Sequence, residues 1–152
     1  MQVGDQFPHF KLLLSDGTTF DTGNLSQKTV FFFYPKDDTP GCTTENIDFS
    51  ALAGAFEQAG TALLGISKDP PARHVKFAAK HSLKAPLASD AEEGGLSDAL
   101  GIWTEKSMYG RTYMGMVRST YLVGPDGRIA CVWSPVKVKG HAAEVLEAAK
   151  AL

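Results

Sequence analysis

The sequence predicts an α/β fold, a mixed central sheet with helices on both faces. Three observations predict it. Two apolar runs, Val30 to Tyr34 and Thr61 to Ile66, carry no polar alternation, as strands covered on both faces do. Each run leads into a helical pattern, which makes two βα units. A turn signal, Gly124-Pro125-Asp126-Gly127, then joins two more strand-like runs ahead of a terminal amphipathic helix. A chain of 152 residues can bury a real core, and no linker, repeat or low-complexity segment divides it, so residues 1–152 are expected to form one domain.

The elements follow in order. Phe10 to Leu14, Asp16-Gly17 and Thr18 to Phe20 read as a small hairpin. Val30 to Tyr34 reads as the central strand. A helix is expected from Cys42 to about Ala59, ended by Gly60, with Phe49, Leu52, Ala53 and Phe56 on its apolar face. Cys42 lies seven residues before Phe49 and shares that face, so its thiol should be partly shielded from water. Thr61 to Ile66 is the second apolar strand. Asp69-Pro70-Pro71 opens a helix through about His81, with Asp69 as its expected cap. Pro86 to Ala88 reads as a short strand, and Gly94 to Leu100 as a short helix stopped by Gly101. Residues 102–116 are rich in aromatics, Met and Gly and show no clear period. Val117 to Val123 and Arg128 to Trp133 flank the Pro-Asp-Gly turn. His141 to Ala149 closes the chain, with Ala142, Val145, Leu146 and Ala149 on one face.

Composition excludes several classes. The chain is 43% apolar and 21% charged with a net charge of −2, and no run is long enough to span a membrane. No basic stripe marks a nucleic-acid surface. The start, Met1-Gln2-Val3-Gly4-Asp5, lacks the basic and apolar regions of a signal peptide, so a cytoplasmic location is expected. Two cysteines in such a protein point to redox or catalytic thiols rather than a structural disulfide. They do not form a Cys-x-x-Cys pair, which disfavours dithiol chemistry of the thioredoxin type. The four histidines and two cysteines form no metal-ligand cluster, and no cofactor is implied.

The segment Tyr34-Pro35-Lys36-Asp37-Asp38-Thr39-Pro40-Gly41-Cys42-Thr43-Thr44-Glu45 carries the chemistry. It puts a cysteine on a strand-to-helix turn. The free amides of a helix start and the helix dipole both favour negative charge there, which favours the thiolate of a cysteine. Thr39 is the expected cap through its hydroxyl, and Pro40 suits the first helical position. The chain thus builds an anion site and puts sulfur in it.

Pro35, Thr39 and Cys42 stand in the pattern Pro-x-x-x-Thr-x-x-Cys, which resembles the active-site motif of the peroxiredoxins. The fuller strings Phe33-Tyr34-Pro35-Lys36 and Thr39-Pro40-Gly41-Cys42-Thr43 are similar to the subgroup called bacterioferritin comigratory protein, or peroxiredoxin Q. Matches extend along nearly the whole chain. They include Val3-Gly4-Asp5, Gly65-Ile66-Ser67-Lys68-Asp69, Gly101-Ile102-Trp103, Arg118-Ser119-Thr120-Tyr121-Leu122-Val123 and Val136-Lys137-Val138-Lys139-Gly140-His141. The resemblance implies a thioredoxin-like fold and a thiol peroxidase acting on hydrogen peroxide and alkyl hydroperoxides. It implies that Cys42 becomes a sulfenic acid, that Arg118 supplies a guanidinium to the sulfur, that Thr39 hydrogen-bonds the peroxide, and that Pro35 shields the site from water.

The chain departs from the pattern in its second cysteine. Many members of the subgroup carry a resolving cysteine five residues after the first, where this chain has Ile47; others carry it in the following helix, where Phe77-Ala78-Ala79-Lys80 has none. The remaining thiol, Cys131, falls in an expected strand and reads first as a small packed hydrophobe. The expected mechanism therefore uses one cysteine and an external thiol, either thioredoxin or glutathione with glutaredoxin. The expected state is a monomer, with a dimer as the alternative.

Other residues have ordinary readings. Trp103 and Trp133 read as packing. Met108, Tyr109, Tyr113, Met114 and Met116 read as packing, with an apolar collar or a partner surface as alternatives. Glu45 fits either a hydrogen bond to Arg118 or a favourable place at the helix start. The Lys36-Asp37-Asp38 loop reads as a polar turn. His74, His81 and His141 read as solvated, as do Lys137, Lys139 and Lys150. A second class of function, a redox-sensing or chaperone-like protein of the same fold, needs only a reactive thiol. The intact set of Pro35, Thr39, Cys42 and Arg118 favours the enzyme.

Overall fold

A computed structural model describes residues 1–152. A sheet of seven strands runs through the molecule in the order β2-β1-β5-β4-β3-β8-β9. These strands are β1 (Lys11–Leu14), β2 (Thr19–Asp21), β3 (Lys28–Phe33), β4 (Thr61–Ser67), β5 (Leu87–Ser89), β8 (Ser119–Val123) and β9 (Ile129–Trp133). Strands β3, β4 and β5 are parallel, and every other pairing is antiparallel, so the sheet is mixed.

The apolar run of β3 is explained by its place. Val30, Phe32 and Tyr34 face one core cluster, and Phe31 and Phe33 face the other. Strand side chains alternate with period two, so a strand buried on both faces has no polar positions. The first cluster lies under helices α1 (Pro40–Ala51), α2 (Ala53–Gln58), α3 (Pro71–His81) and α5 (His141–Ala151). Within it Phe32 stacks on Phe49 with centroids 4.3 Å apart. The second cluster is covered by Phe7, the short helix α4 (Leu96–Ala99), Leu100, Ile102 and Met116. Helices thus lie on both faces, but one short helix is all that the second face receives.

The structure departs from the sequence reading at identifiable places. The first helix starts at Pro40 and is broken at Leu52, so that α1 and α2 replace one helix running to Ala59. Residues 102–116, without a clear period in the sequence, form a separate two-stranded hairpin of β6 (Trp103–Met108) and β7 (Arg111–Met116). Its turn residues Tyr109 and Gly110 both have positive φ. Only Met116 of its apolar residues is buried; Met108, Tyr109, Tyr113 and Met114 are exposed. Such a two-sided ribbon buries too little for a hydrophobic alternation to develop. Asp69 does not cap α3; Pro70 occupies that position, and the Asp69 carboxylate accepts from Ser67 Oγ instead.

Phe32→Ala should destabilise the fold by about 3–5 kcal/mol, since it empties a fully buried aromatic site. Tyr109→Ala, at a residue 96% exposed, should change stability by no more than about 0.5 kcal/mol. Urea unfolding of the two variants checks both values.

Candidate active site

The chain leaves the C-terminal end of β3, crosses Pro35–Thr39 and enters α1. Thr39 stands at the helix cap with extended backbone, Pro40 at the first helical position, and Cys42 in the first turn. The first helical bond runs from the Thr43 amide to the Thr39 carbonyl at 2.8 Å. The amides of Gly41 and Cys42 precede it and belong to the helix's unpaired start. The Thr39 hydroxyl does not cap them, contrary to expectation; it donates to the Lys36 carbonyl at 2.9 Å, within its own loop. The cysteine is 1% exposed and joins the core cluster of Phe32, Tyr34 and Phe49, as its spacing from Phe49 indicated.

Arg118 reaches this sulfur because of strand parity. Phe33 pairs with Ser119, which puts Arg118 beside the end of β3. Leu122 points into the cluster under α1, and counting back by twos brings Arg118 to the same face. Its Nη2 lies 3.5 Å from Cys42 Sγ, and its Nη1 donates to Glu45 Oε1 at 2.6 Å. A Cβ on Gly41 would stand 3.2 Å from Nη2, so glycine leaves room for the guanidinium against the helix turn. Of the two readings of Glu45, the hydrogen bond to Arg118 is the one observed.

Burial works against the Arg118 charge, but Glu45 and Cys42 together outweigh it and hold the guanidinium above its ordinary pKa. Burial dominates at Glu45 and pushes its carboxyl up to about 7, against the lowering influence of Arg118. The other oxygen, Oε2, is buried without a hydrogen-bond partner. The site therefore holds a sulfur, a fixed cation and a carboxyl that titrates near neutrality. Pro35 and Thr39 are both half-buried in the loop on the approach to this turn.

The remaining candidates fall elsewhere. Cys131 is half-buried on β9 opposite Leu122, and burial pushes its thiol up. Ile47 lies exposed on α1, and Ala78 lies on α3. Two histidines expected in solvent are buried. His141 Nε2 meets Thr120 Oγ1 at 2.8 Å, and burial takes its pKa down to about 4. His74 is fully buried against Asp37, a residue read from the sequence as part of a polar turn. No isolated feature of the sequence marked that pair, since its members lie in different elements. A cavity of about 490 Å³ opens between this loop and α3, with Asp38, Arg73, Lys76 and Lys80 in its wall. Neither Cys42, Thr39 nor Arg118 lines it, so it is separate from the sulfur.

Glu45 imposes a pH dependence whose sign follows from its raised pKa. Between the unfolded value of 4.5 and about 7 the folded protein binds the extra proton. Its contribution is therefore fullest at and below the unfolded pKa and is lost as pH rises through about 7. Glu45→Gln should remove that loss, at most about 1.4 kcal/mol for each pH unit crossed. Urea unfolding of both proteins at pH 5 and pH 7.5 checks the difference.

Comparisons with known proteins agree with this geometry. The AhpC/TSA family model matches residues 3–132. A peroxiredoxin Bcp of Xanthomonas campestris is 46% identical over 141 residues, 92% of this chain and 88% of that protein. Among solved structures, peroxiredoxin Q of Xylella fastidiosa superposes with a TM-score of 0.92 at 41% identity, covering 99% of this chain and 96% of the other. The Xanthomonas campestris bacterioferritin comigratory protein, studied for its alkyl peroxide reduction, superposes with a TM-score of 0.89 at 42% identity over 99% of this chain and 98% of that one. With these relatives along nearly its full length, the chain belongs to the AhpC/TSA family as a peroxiredoxin of the Bcp, or peroxiredoxin Q, group, and is a thiol peroxidase that reduces hydroperoxides.

Proposed function

We propose that this peroxidase works with one cysteine and is recycled by an external thiol, with Arg118, Thr39 and Pro35 completing the site. The observation that carries the reading is the 3.5 Å approach of Arg118 Nη2 to Cys42 Sγ on a helix start. The Cys42 thiolate attacks the terminal oxygen of ROOH. The S–O bond forms as the O–O bond breaks, Cys42 is oxidised to the sulfenic acid, and RO⁻ leaves and takes a proton from water. Arg118 stabilises the thiolate and then the negative charge on the departing oxygen. Thr39 Oγ1, whose hydrogen is directed to the Lys36 carbonyl, keeps lone pairs to accept the peroxide O–H. Pro35 contributes an apolar wall without a backbone donor.

The sulfenic acid then condenses with a thiol R′SH, releasing water and forming a mixed disulfide. A second thiol reduces that disulfide and restores Cys42. The absence of cysteine at Ile47 and along α3 supports an outside donor, a dithiol protein of the thioredoxin kind or glutathione with glutaredoxin. The position of Cys131 supports it too. Cys131 is held on β9 by pairing with Leu122 of β8, so its backbone is fixed in the sheet rather than free to move to Cys42. A disulfide needs α-carbons within about 7 Å. A monomeric, cytoplasmic enzyme of one domain is the accompanying reading.

Cys42→Ser should abolish turnover. Cys131→Ser should keep thiol-supported turnover within about twofold of the parent. Arg118→Ala should slow peroxide reduction by about a hundredfold, the scale of one preorganised charge donor, and should also slow alkylation of Cys42 at neutral pH. Intact mass after one equivalent of peroxide without reductant should show one added oxygen with Cys131 free; a loss of two hydrogens with both thiols blocked would assign resolution to Cys131.

A further inference from the structure

We propose that His74 and Asp37 are positioning residues of the peroxide step: a buried clamp that fixes the Pro35–Thr39 loop against α3 and so sets where Thr39 meets the peroxide. The proposal rests on the assignment of Thr39 as the peroxide's hydrogen-bond partner.

The loop needs such a device. It lies between β3 and α1 and has no ladder of its own. Its ties are made by side chains. The Asp37 amide donates to Asp69 Oδ2 at 2.8 Å, and the Thr39 hydroxyl turns back to Lys36. Asp38 sits at φ 62, a left-handed conformation that costs a non-glycine residue on the order of 1 kcal/mol. Its carboxylate is held by Lys80 at 2.8 Å and His81 at 3.1 Å, both from α3.

The buried pair is the firmest of these ties. His74 Nε2 lies 3.1 Å from the Ala88 carbonyl oxygen, which can only accept, so Nε2 carries a hydrogen. Nδ1 lies 2.6 Å from Asp37 Oδ2, and one proton must lie between them. Asp37 Oδ1 accepts the Tyr34 O–H at 2.6 Å. Burial, then Asp37, pushes the Tyr34 phenol far above its ordinary range, so it remains a donor. Every polar atom of the two side chains is thereby used, and the pair is neutral as a whole, whichever member holds the shared proton. Breaking one partner would leave the other buried and unsatisfied, the expensive outcome for such groups.

The consequence for reaction is geometric. Asp37 is two residues from Pro35 and two from Thr39, while Cys42 is held separately by α1 and Arg118. Releasing Asp37 shifts Thr39 relative to a sulfur that stays in place. Misplacement of about 1 Å can cost up to a hundredfold in rate. Reactions of the thiolate that do not use Thr39 should not respond.

The experiment compares the rate of Cys42 oxidation by hydrogen peroxide, followed by tryptophan fluorescence, with the rate of Cys42 alkylation by iodoacetamide. The variants are His74→Gln, His74→Asn, Tyr34→Phe and Thr39→Val. His74→Gln places its amide near Nε2 and keeps only Ala88; His74→Asn places its amide near Nδ1 and keeps Asp37. The expected result is a tenfold or greater loss of peroxide rate in His74→Gln with alkylation changed less than twofold, and recovery to within about threefold in His74→Asn. Equal slowing of both reactions, or equal behaviour of the Gln and Asn variants, would overturn the clamp. If His74→Gln does not fold, Tyr34→Phe decides: a severalfold slower peroxide step with unchanged alkylation supports the clamp, and an unchanged peroxide step overturns it. Thr39→Val separates the two readings. If it leaves the peroxide rate intact, the Thr39 assignment fails; if it slows peroxide while His74→Gln does not, the clamp alone fails.

Discussion

Strand β3 is buried on both faces, and the rest of the molecule is arranged around that constraint. A strand with Phe32 on one side and Phe31 and Phe33 on the other must be roofed twice. The first roof is made by α1, α2, α3 and α5, and the second by Phe7, α4 and the base of the β6–β7 hairpin. The same strand ends where α1 begins, so the core that orders the fold also delivers the helix start to a fixed place. Phe49 stacking on Phe32 sets the direction of α1, and Cys42 follows seven residues upstream on the same face. Fold stability and sulfur position are therefore one packing problem.

Charge is then brought to that place from the opposite neighbour. Strand β8 pairs with β3 in antiparallel register, and Arg118 stands at the end of it that meets the helix start. A long side chain from this position could turn to solvent. The Glu45 carboxylate, three residues along α1, stops it from doing so. Glu45 is a costly partner, buried and with one oxygen unsatisfied, and its raised pKa is the sign of that cost. It is retained at the position where it orients a guanidinium toward sulfur, which is a geometric gain rather than one of stability.

Much of this was legible in the sequence, and the reasons are local. Two unalternating apolar runs identified the central strands, and a helix-period apolar face running through Phe49 put Cys42 inward. The Pro-Asp-Gly turn located the last hairpin, with its two positive-φ-tolerant glycines around it. What could not be read depends on contacts between distant segments. Asp37 in a run of charged residues looks like a turn, and His74 in a helix with lysines around it looks solvated. Only the folding of α3 against β5 and the Pro35–Thr39 loop brings them together. The β6–β7 ribbon was hidden for a different reason: it buries little, so no burial pattern was written into residues 103–116 beyond Met116. The break at Leu52 falls two residues before Gly54, a weak helix former whose signal is masked by the apolar spacing of Phe49, Leu52, Ala53 and Phe56 across it.

The proposed two-step cycle makes opposite demands on the same turn. A hydroperoxide is small, and its reaction profits from a sulfur that is 1% exposed and out of bulk water. A reducing thiol carried by a larger molecule must bring its own sulfur to within about 2 Å of Cys42 Sγ to form the mixed disulfide. The two sides of the site are not held alike. The loop is tied to α3 by a fully buried, fully satisfied cluster that includes Tyr34, Asp37 and His74. The first turn of α1 has its helical backbone bonds, the Asn46 side-chain amide donating to the Cys42 carbonyl at 2.9 Å and the Arg118–Glu45 pair, but Glu45 Oε2 and Asn46 Oδ1 are buried there without partners, and the Glu45 carboxyl sits near its own titration point. Local opening follows the element with fewer satisfied buried ties. In the proposed cycle the Pro35–Thr39 loop thus stays rigid, and the turn that carries Cys42, with its unsatisfied buried atoms, is the side that yields to a thiol.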